Sequence, residues 1–169
     1  MQNHMICRDL WLVGVGNIGT EYAKVLVAQN ARFTAVGRGA TSSNRFMKET
    51  GISVLQGGLE KAIGKKGIGP DIAIVAVSTE ELFDVCSAIL DTGTHRILVE
   101  KPAGLNYQQI ELLNRKASAA NASVFVAYNR RFYASCFRAQ QMIAEDGGPI
   151  SYAFEFTEWS HQIEKLSKP

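Results

Sequence analysis

The residues in this sequence best suited to chemistry are three glycines, an arginine and a lysine. Gly14, Gly16 and Gly19 stand as G-x-G-x-x-G within LWLVGVGNIGTEYAKVLV. In that spacing the first glycine permits a tight turn out of a strand. The second lets the backbone approach a pyrophosphate, and the third lets the following helix pack closely on the sheet. The helix N-terminus then presents free N–H groups to phosphate oxygens. A glycine-rich turn without a ligand has the same composition. The flanking pattern, an apolar strand before and a helix after, is the context that favours dinucleotide binding.

The second strand of such a unit usually ends in an acid when NAD is bound, because the acid accepts from the ribose 2′-hydroxyl. From Tyr22 through Lys48 there is no Asp or Glu. The strand end instead reads AVGRGATSSNR. Arg38 can pair with a 2′-phosphate or stack on adenine, and Ser42 and Ser43 can add hydrogen bonds. These residues favour NADP, with NAD second. Read as plain surface chemistry, Arg38 and Arg45 are only solvated charges.

The other chemical position lies in HRILVEKPAGLN, residues 95–106. Ile97, Leu98 and Val99 read as a buried strand, and Lys101 follows at its carboxyl end, where open α/β sheets bind ligands. Pro102 fixes its own φ and restricts the residue before it, so the lysine is held on a stiff backbone. Residue types alone leave open whether Lys101 serves a ligand or is simply solvated.

The elements that must position these residues alternate. Strands are expected near 9–15, 32–37, 71–77, 95–100 and 123–128, with a short one at 53–55. Several are apolar on both faces, as in a parallel sheet covered by helices on each side. Helices are expected near 17–29, 43–50, 58–65, 79–92 and 106–121. Ser78 or Thr79 is the expected cap of the fourth, with Glu80 and Glu81 in its first turn. Strands alternating with helices predict a doubly wound, mostly parallel Rossmann sheet. A further helix is expected at 131–145, broken by EDGGP. Ile150, Tyr152, Phe154 and Phe156 then alternate with smaller or polar residues, the pattern of an antiparallel strand with one buried face. The expected organisation is a dinucleotide-binding domain over 1–147 and the first strand of a second domain over 148–169.

Bulk properties narrow the class. The 169 residues are 46% hydrophobic and 20% charged, ordinary for a globular protein. A net charge of +2 is too small to make nucleic acid the main partner. No apolar run is long enough to span a membrane. The first ten residues lack the apolar core of a signal peptide. Cys7, Cys86 and Cys136 are odd in number and far apart, which argues for a reducing compartment and against a disulfide framework. His4, His95 and His161 show no metal-ligand spacing, so no metal site is expected. A cytoplasmic protein is expected.

GVGNIG at 14–19, EKP at 100–102 and YNRRF at 128–132 together resemble the glucose–fructose oxidoreductase/inositol dehydrogenase (Gfo/Idh/MocA) family. AYNRRFYAS further resembles the members of cell-surface polysaccharide synthesis, which act on sugars or nucleotide sugars. The resemblance implies an NAD(P)-dependent oxidoreductase that moves hydride to or from a sugar-like hydroxyl carbon. It implies that Gly14, Gly16, Asn17 and Ile18 hold the pyrophosphate and that Ser78 and Thr79 border the nicotinamide. Glu100 lies near the nicotinamide ribose, Lys101 acts at the reacting hydroxyl through a lysine–proline bond that is often cis, and Asn129 and Arg130 line the pocket.

Full members of that family carry a large antiparallel domain after the Rossmann domain, with substrate contacts and usually a proton-transfer histidine. His161 is too early to be that histidine. The chain is therefore expected to bind dinucleotide and to turn over sugars poorly on its own, or to be a non-catalytic NAD(P)-binding module. A lone strand over 150–159 leaves Phe154 and Phe156 without a partner, so it is expected to pair with a second copy into a homo-oligomer or to be disordered.

Overall fold

The computed structural model describes residues 9–64, 67–153 and 155. They form two compact units, divided between Tyr128 and Asn129. The first unit alternates strand and helix throughout. Its strands are β1 (Leu10–Val13), β2 (Thr34–Gly37), β3 (Val54–Gln56), β4 (Ile72–Val75), β5 (Arg96–Val99) and β6 (Ser123–Val126). Its helices are α1 (Asn17–Ala28), α2 (Ala40–Thr50), α3 (Gly58–Ile63), α4 (Leu82–Leu90) and α5 (Tyr107–Ala119). The strands run in the order β3-β2-β1-β4-β5-β6, and every pair is parallel. This is the doubly wound Rossmann sheet that the sequence predicts.

Two cores sit on the two faces of the sheet. On one face Ala23, Leu26 and Phe46 from α1 and α2 pack with Leu12, Ala35 and Ile74. On the other, Leu82, Ile89 and Leu113 from α4 and α5 pack with Trp11, Val75 and Ile97. Successive residues of β1 thus face opposite cores, which is why the strand reads as a continuous apolar run. Phe46, Leu12 and Ile97 are almost fully buried. Each such side chain contributes about 1.5–3 kcal/mol through burial.

Local signals set the helix ends. The Asn106 side chain caps α5 by accepting from the Gln109 N–H at 3.0 Å, and the Gln109 side-chain Oε1 accepts in turn from the Leu105 N–H at 2.7 Å. Gly51, at φ 73°, closes α2 in the left-handed conformation. The start of α4 differs from expectation. Thr79–Glu81 form a separate 3-10 turn, and neither Ser78 nor Thr79 makes a capping bond. The Ser78 hydroxyl instead donates to the Glu81 carboxylate at 2.7 Å. A carboxylate three residues on is a stronger acceptor than the hydroxyl is a cap.

The second unit begins with a 3-10 turn, Asn129–Phe132, in which the Arg131 guanidinium lies 4.9 Å from the Phe132 ring centre. Helix α6 (Ala134–Glu145) follows. The Gly148 N–H donates to the Ile143 carbonyl at 2.9 Å and the Gly147 N–H to that of Ala144 at 3.2 Å. These two bonds form a Schellman close, so EDGGP ends the helix as expected. The antiparallel strand expected at 150–159 is not formed by residues 150–153, which belong to no strand. Phe154 and residues 156–169, with the proposed pairing of Phe154 and Phe156 and the position of His161, lie outside the described residues. No helix among the described residues is long and apolar enough to cross a membrane.

Candidate functional site

The carboxyl ends of β1, β2, β4 and β5 open into one cleft of about 660 Å³. It lies where the sheet order reverses, between β1 and β4, the position at which open α/β sheets take their ligands. The glycine loop forms its floor. Gly14 leaves β1 at φ 106°, and a Cβ there would stand 2.2 Å from the Ala76 carbonyl oxygen. Its N–H donates to the Val36 carbonyl at 2.9 Å, and the Ala76 N–H donates to Val13 at 2.8 Å, so the loop is stitched to β2 and β4. Gly16 precedes α1 in ordinary extended backbone, with no atom within 4 Å of where its Cβ would be. That open direction is what a passing diphosphate needs. Asn17 and Ile18 also line the cleft.

Gly19 is buried, and a Cβ on it would lie 1.9 Å from the Gly14 carbonyl oxygen. It packs α1 against the loop, and it is not among the residues lining the cleft. Ser43 is likewise not among the residues lining the cleft. It is 2% exposed, and its hydroxyl donates to the Gly39 carbonyl at 2.8 Å, so it does not face a ligand. Residue 43 falls on the inward face of α2 beside Phe46. Ser42 faces outward and lines the cleft, with its hydroxyl on the same carbonyl at 3.1 Å.

Arg38 stands in the cleft at the end of β2, exposed, with its guanidinium paired to the carboxylate of Glu81. Glu81 comes from the 3-10 turn after β4, so the pair joins the ends of two strands across the mouth. The Ser78 hydroxyl above all, and after the opposing cost of burial the Arg38 guanidinium, hold the Glu81 carboxyl below the usual range.

On the other side Ser78, Thr79, Glu100 and Lys101 line the cleft. The Glu100 N–H continues the ladder to Val75 at 2.9 Å. Both of its carboxylate oxygens are engaged: one accepts from the Tyr22 hydroxyl at 2.8 Å, the other from the Lys101 N–H at 3.3 Å. Partial burial, and next the bond to Glu100, push the Tyr22 phenol well above its ordinary range. The Lys101–Pro102 peptide is cis. A turn closes around it through the Ala103 N–H and the Glu100 carbonyl at 3.0 Å. Ala103 has φ 71°, an uncommon conformation for alanine, and is completely buried. Lys101 is thus carried by a backbone fixed on both sides. Asn129 and Arg130 belong to the 3-10 turn that opens the second unit, and both are exposed.

Two residues that shape the cleft were missed by reading the sequence. Tyr22 lies four positions after Ile18 on α1, and that spacing alone puts it on the same helix face. In sequence Glu81 reads only as a first-turn charge. No local pattern links it to Arg38.

A doubly wound parallel sheet with a glycine loop at its switch point defines a Rossmann dinucleotide-binding domain. The chain belongs to the Gfo/Idh/MocA oxidoreductase family, whose sequence model, described as an oxidoreductase family with an NAD-binding Rossmann fold, matches residues 9–128. No curated protein sequence matches it. Among solved structures it is similar to the WlbA dehydrogenase from Bordetella pertussis in complex with NADH and UDP-GlcNAcA, with TM-score 0.71 and 16% identity over 82% of this chain and 42% of that one. GenD2 from gentamicin A biosynthesis, in complex with NAD, gives 0.70 and 22% over 85% and 41%. The scyllo-inositol dehydrogenase from Lactobacillus casei, with NAD(H) and scyllo-inositol, gives 0.68 and 20% over 83% and 41%. At these identities the likeness is one of fold. The chain spans less than half the length of each.

Proposed function

We propose that the cleft binds a nicotinamide dinucleotide and that the chain serves an oxidoreductase acting on a sugar or nucleotide-sugar hydroxyl. One observation carries this reading: the glycine loop, Arg38, the Ser78–Thr79 edge and Lys101 all line the same cleft. The bound dinucleotide supplies the hydride acceptor or donor. Gly14, Gly16, Asn17 and Ile18 bind the diphosphate, and Gly19 keeps α1 close to them. Oxidising such an alcohol removes a hydride from carbon and a proton from oxygen. Lys101 is the residue assigned to that oxygen and proton, and Glu100 to the nicotinamide ribose. Asn129 and Arg130 are assigned to the substrate pocket on the family resemblance. The substrate class rests on the compounds named with WlbA and the inositol dehydrogenase.

NADP is the proposed preference over NAD. Arg38 is an exposed cation at the end of β2, and Tyr22–Lys48 contains no acid to accept from a 2′-hydroxyl. The domain is proposed to run to residue 147, with 148–169 entering a second domain that pairs with another copy through 150–159. A cytoplasmic location is proposed with it. The alternative reading is a non-catalytic NAD(P)-binding module.

Calorimetric titration with NADP and NAD, followed by turnover assays on sugars and nucleotide sugars, tests both. Binding with turnover that falls about 10²–10⁴-fold in Lys101→Ala supports the enzyme. Binding without turnover supports the module. No binding of either dinucleotide defeats the proposal.

A further inference from the structure

The pairing of Arg38 with Glu81 has consequences for which dinucleotide the cleft takes. Arg38 is the feature that favours a 2′-phosphate, yet in this structure its guanidinium already holds a carboxylate. Glu81 does not swing freely there. Its second oxygen accepts from the Ser78 hydroxyl at 2.7 Å, so the 3-10 turn Thr79–Glu81 presents the carboxylate towards β2. All three residues line the cleft. The arrangement is a chain of contacts, Arg38 to Glu81 to Ser78, that starts at the end of β2, which receives the adenosine half in this fold, and reaches the Ser78–Thr79 edge across the cleft.

We infer that Glu81 is a specificity-determining residue that restrains Arg38 and selectively weakens binding of the 2′-phosphorylated dinucleotide. The inference rests on the dinucleotide reading above. A ribose with a free 2′-hydroxyl carries no charge at that carbon and leaves the Arg38–Glu81 pair intact. A 2′-phosphate carries nearly two negative charges at neutral pH and seeks the same guanidinium. It must take Arg38 from Glu81, and it is then left near an uncompensated carboxylate. Both effects act on NADP and neither on NAD. Glu81 therefore sets how far the preference created by Arg38 is expressed.

The test is calorimetric titration of NAD and NADP into the unmodified chain, Glu81→Gln, Glu81→Asp, Arg38→Met and the Arg38→Met/Glu81→Gln pair, with thermal melts to verify folding. Glu81→Gln is expected to tighten NADP about fivefold to tenfold, the combined size of an exposed ion pair given up and a like-charge repulsion relieved. NAD should change by no more than about twofold, within the smallest effect of an exposed charge. Glu81→Asp should keep the original ratio, and in the Arg38→Met background Glu81→Gln should leave it unaltered. A ratio unmoved by Glu81→Gln in a folded variant, or moved equally without Arg38, overturns the inference while leaving dinucleotide binding standing. Failure of the unmodified chain to bind either dinucleotide overturns both.

Discussion

Gly16 and Gly19 stand three residues apart in one motif, yet substitution by alanine should damage different properties. At Gly19 the added Cβ would lie 1.9 Å from the Gly14 carbonyl oxygen, a backbone atom. Relief requires α1 or the loop to move by more than 1 Å from a close-packed position, since ordinary contacts lie between 3.4 and 4 Å. Overpacking of this severity sits at the upper end of its range, about 3 kcal/mol. For a chain of this size that lowers Tm by about 6–12 °C. At Gly16 the backbone is extended, at φ −76° and ψ −167°, and no atom lies within 4 Å of the Cβ position. Stability should stay within about 1 kcal/mol, because reduced unfolded-state freedom offsets alanine's poorer fit as a helix cap. The new methyl group enters the open direction proposed for the diphosphate, so dinucleotide affinity should fall at least about tenfold, or 1.4 kcal/mol. Urea denaturation followed by circular dichroism, with calorimetric titration of NAD and NADP, separates the two effects. The reasoning is refuted if Gly19→Ala unfolds within about 1 kcal/mol of the unmodified chain. It is equally refuted if Gly16→Ala binds both dinucleotides unchanged.

Arg38→Asp should shift preference towards NAD, because the new carboxylate repels a 2′-phosphate and accepts from a 2′-hydroxyl; tighter NAD than NADP binding in the unmodified protein contradicts this. Tyr22→Phe removes the bond to Glu100 and should lower stability by about 1 kcal/mol near neutral pH. The folded phenol keeps its proton where the unfolded one loses it. Its contribution is therefore complete below the ordinary value of 10.0 and declines as pH rises above it, so Tyr22→Phe should flatten the loss of stability that urea melts read above pH 10. Burial pushes the Cys86 thiol up to about 12, so iodoacetamide at pH 8 should label partly exposed Cys136 well before Cys86 in peptide mass maps; equal rates would refute the burial argument.

The sheet was largely legible because its central strands β1, β2 and β4 are buried on both faces and so read as largely apolar runs. Even the three-residue β3 appears within one position of its expected place. The glycine loop was legible for a related reason: backbone clearance at Gly14 and Gly19 is a demand that only glycine meets, so residue type reveals geometry. Side-chain direction was harder to read. Ser42 and Ser43 look equivalent in sequence, yet the helical turn of α2 sends one into the cleft and the other into the core beside Phe46. The start of α4 was misjudged because a serine before two glutamates suits a cap, and what decides is which acceptor the hydroxyl meets. Arg38 and Glu81 are 43 positions apart, and only the strand order brings them together.

The strand order also bears on how the chain assembles. Four of the five strand pairings join residues fewer than thirty positions apart. Between β1 and β4, Leu10 lies opposite Ile72, a separation of 62. Each doubling of loop length costs about 0.6 kcal/mol of closure entropy, so β3-β2-β1 and β4-β5-β6 are two locally formed half-sheets and their junction is the entropically costly step. The cleft straddles that junction, with Gly14 and Arg38 on one half and Ser78 and Lys101 on the other. A ligand filling it ties the halves together, and at a hundred times its Kd it adds about 2.7 kcal/mol to the cohesion of the whole unit. Amide hydrogens of β1 and β4 should then exchange more slowly with ligand than without, and those of the outer strands β3 and β6 should respond least.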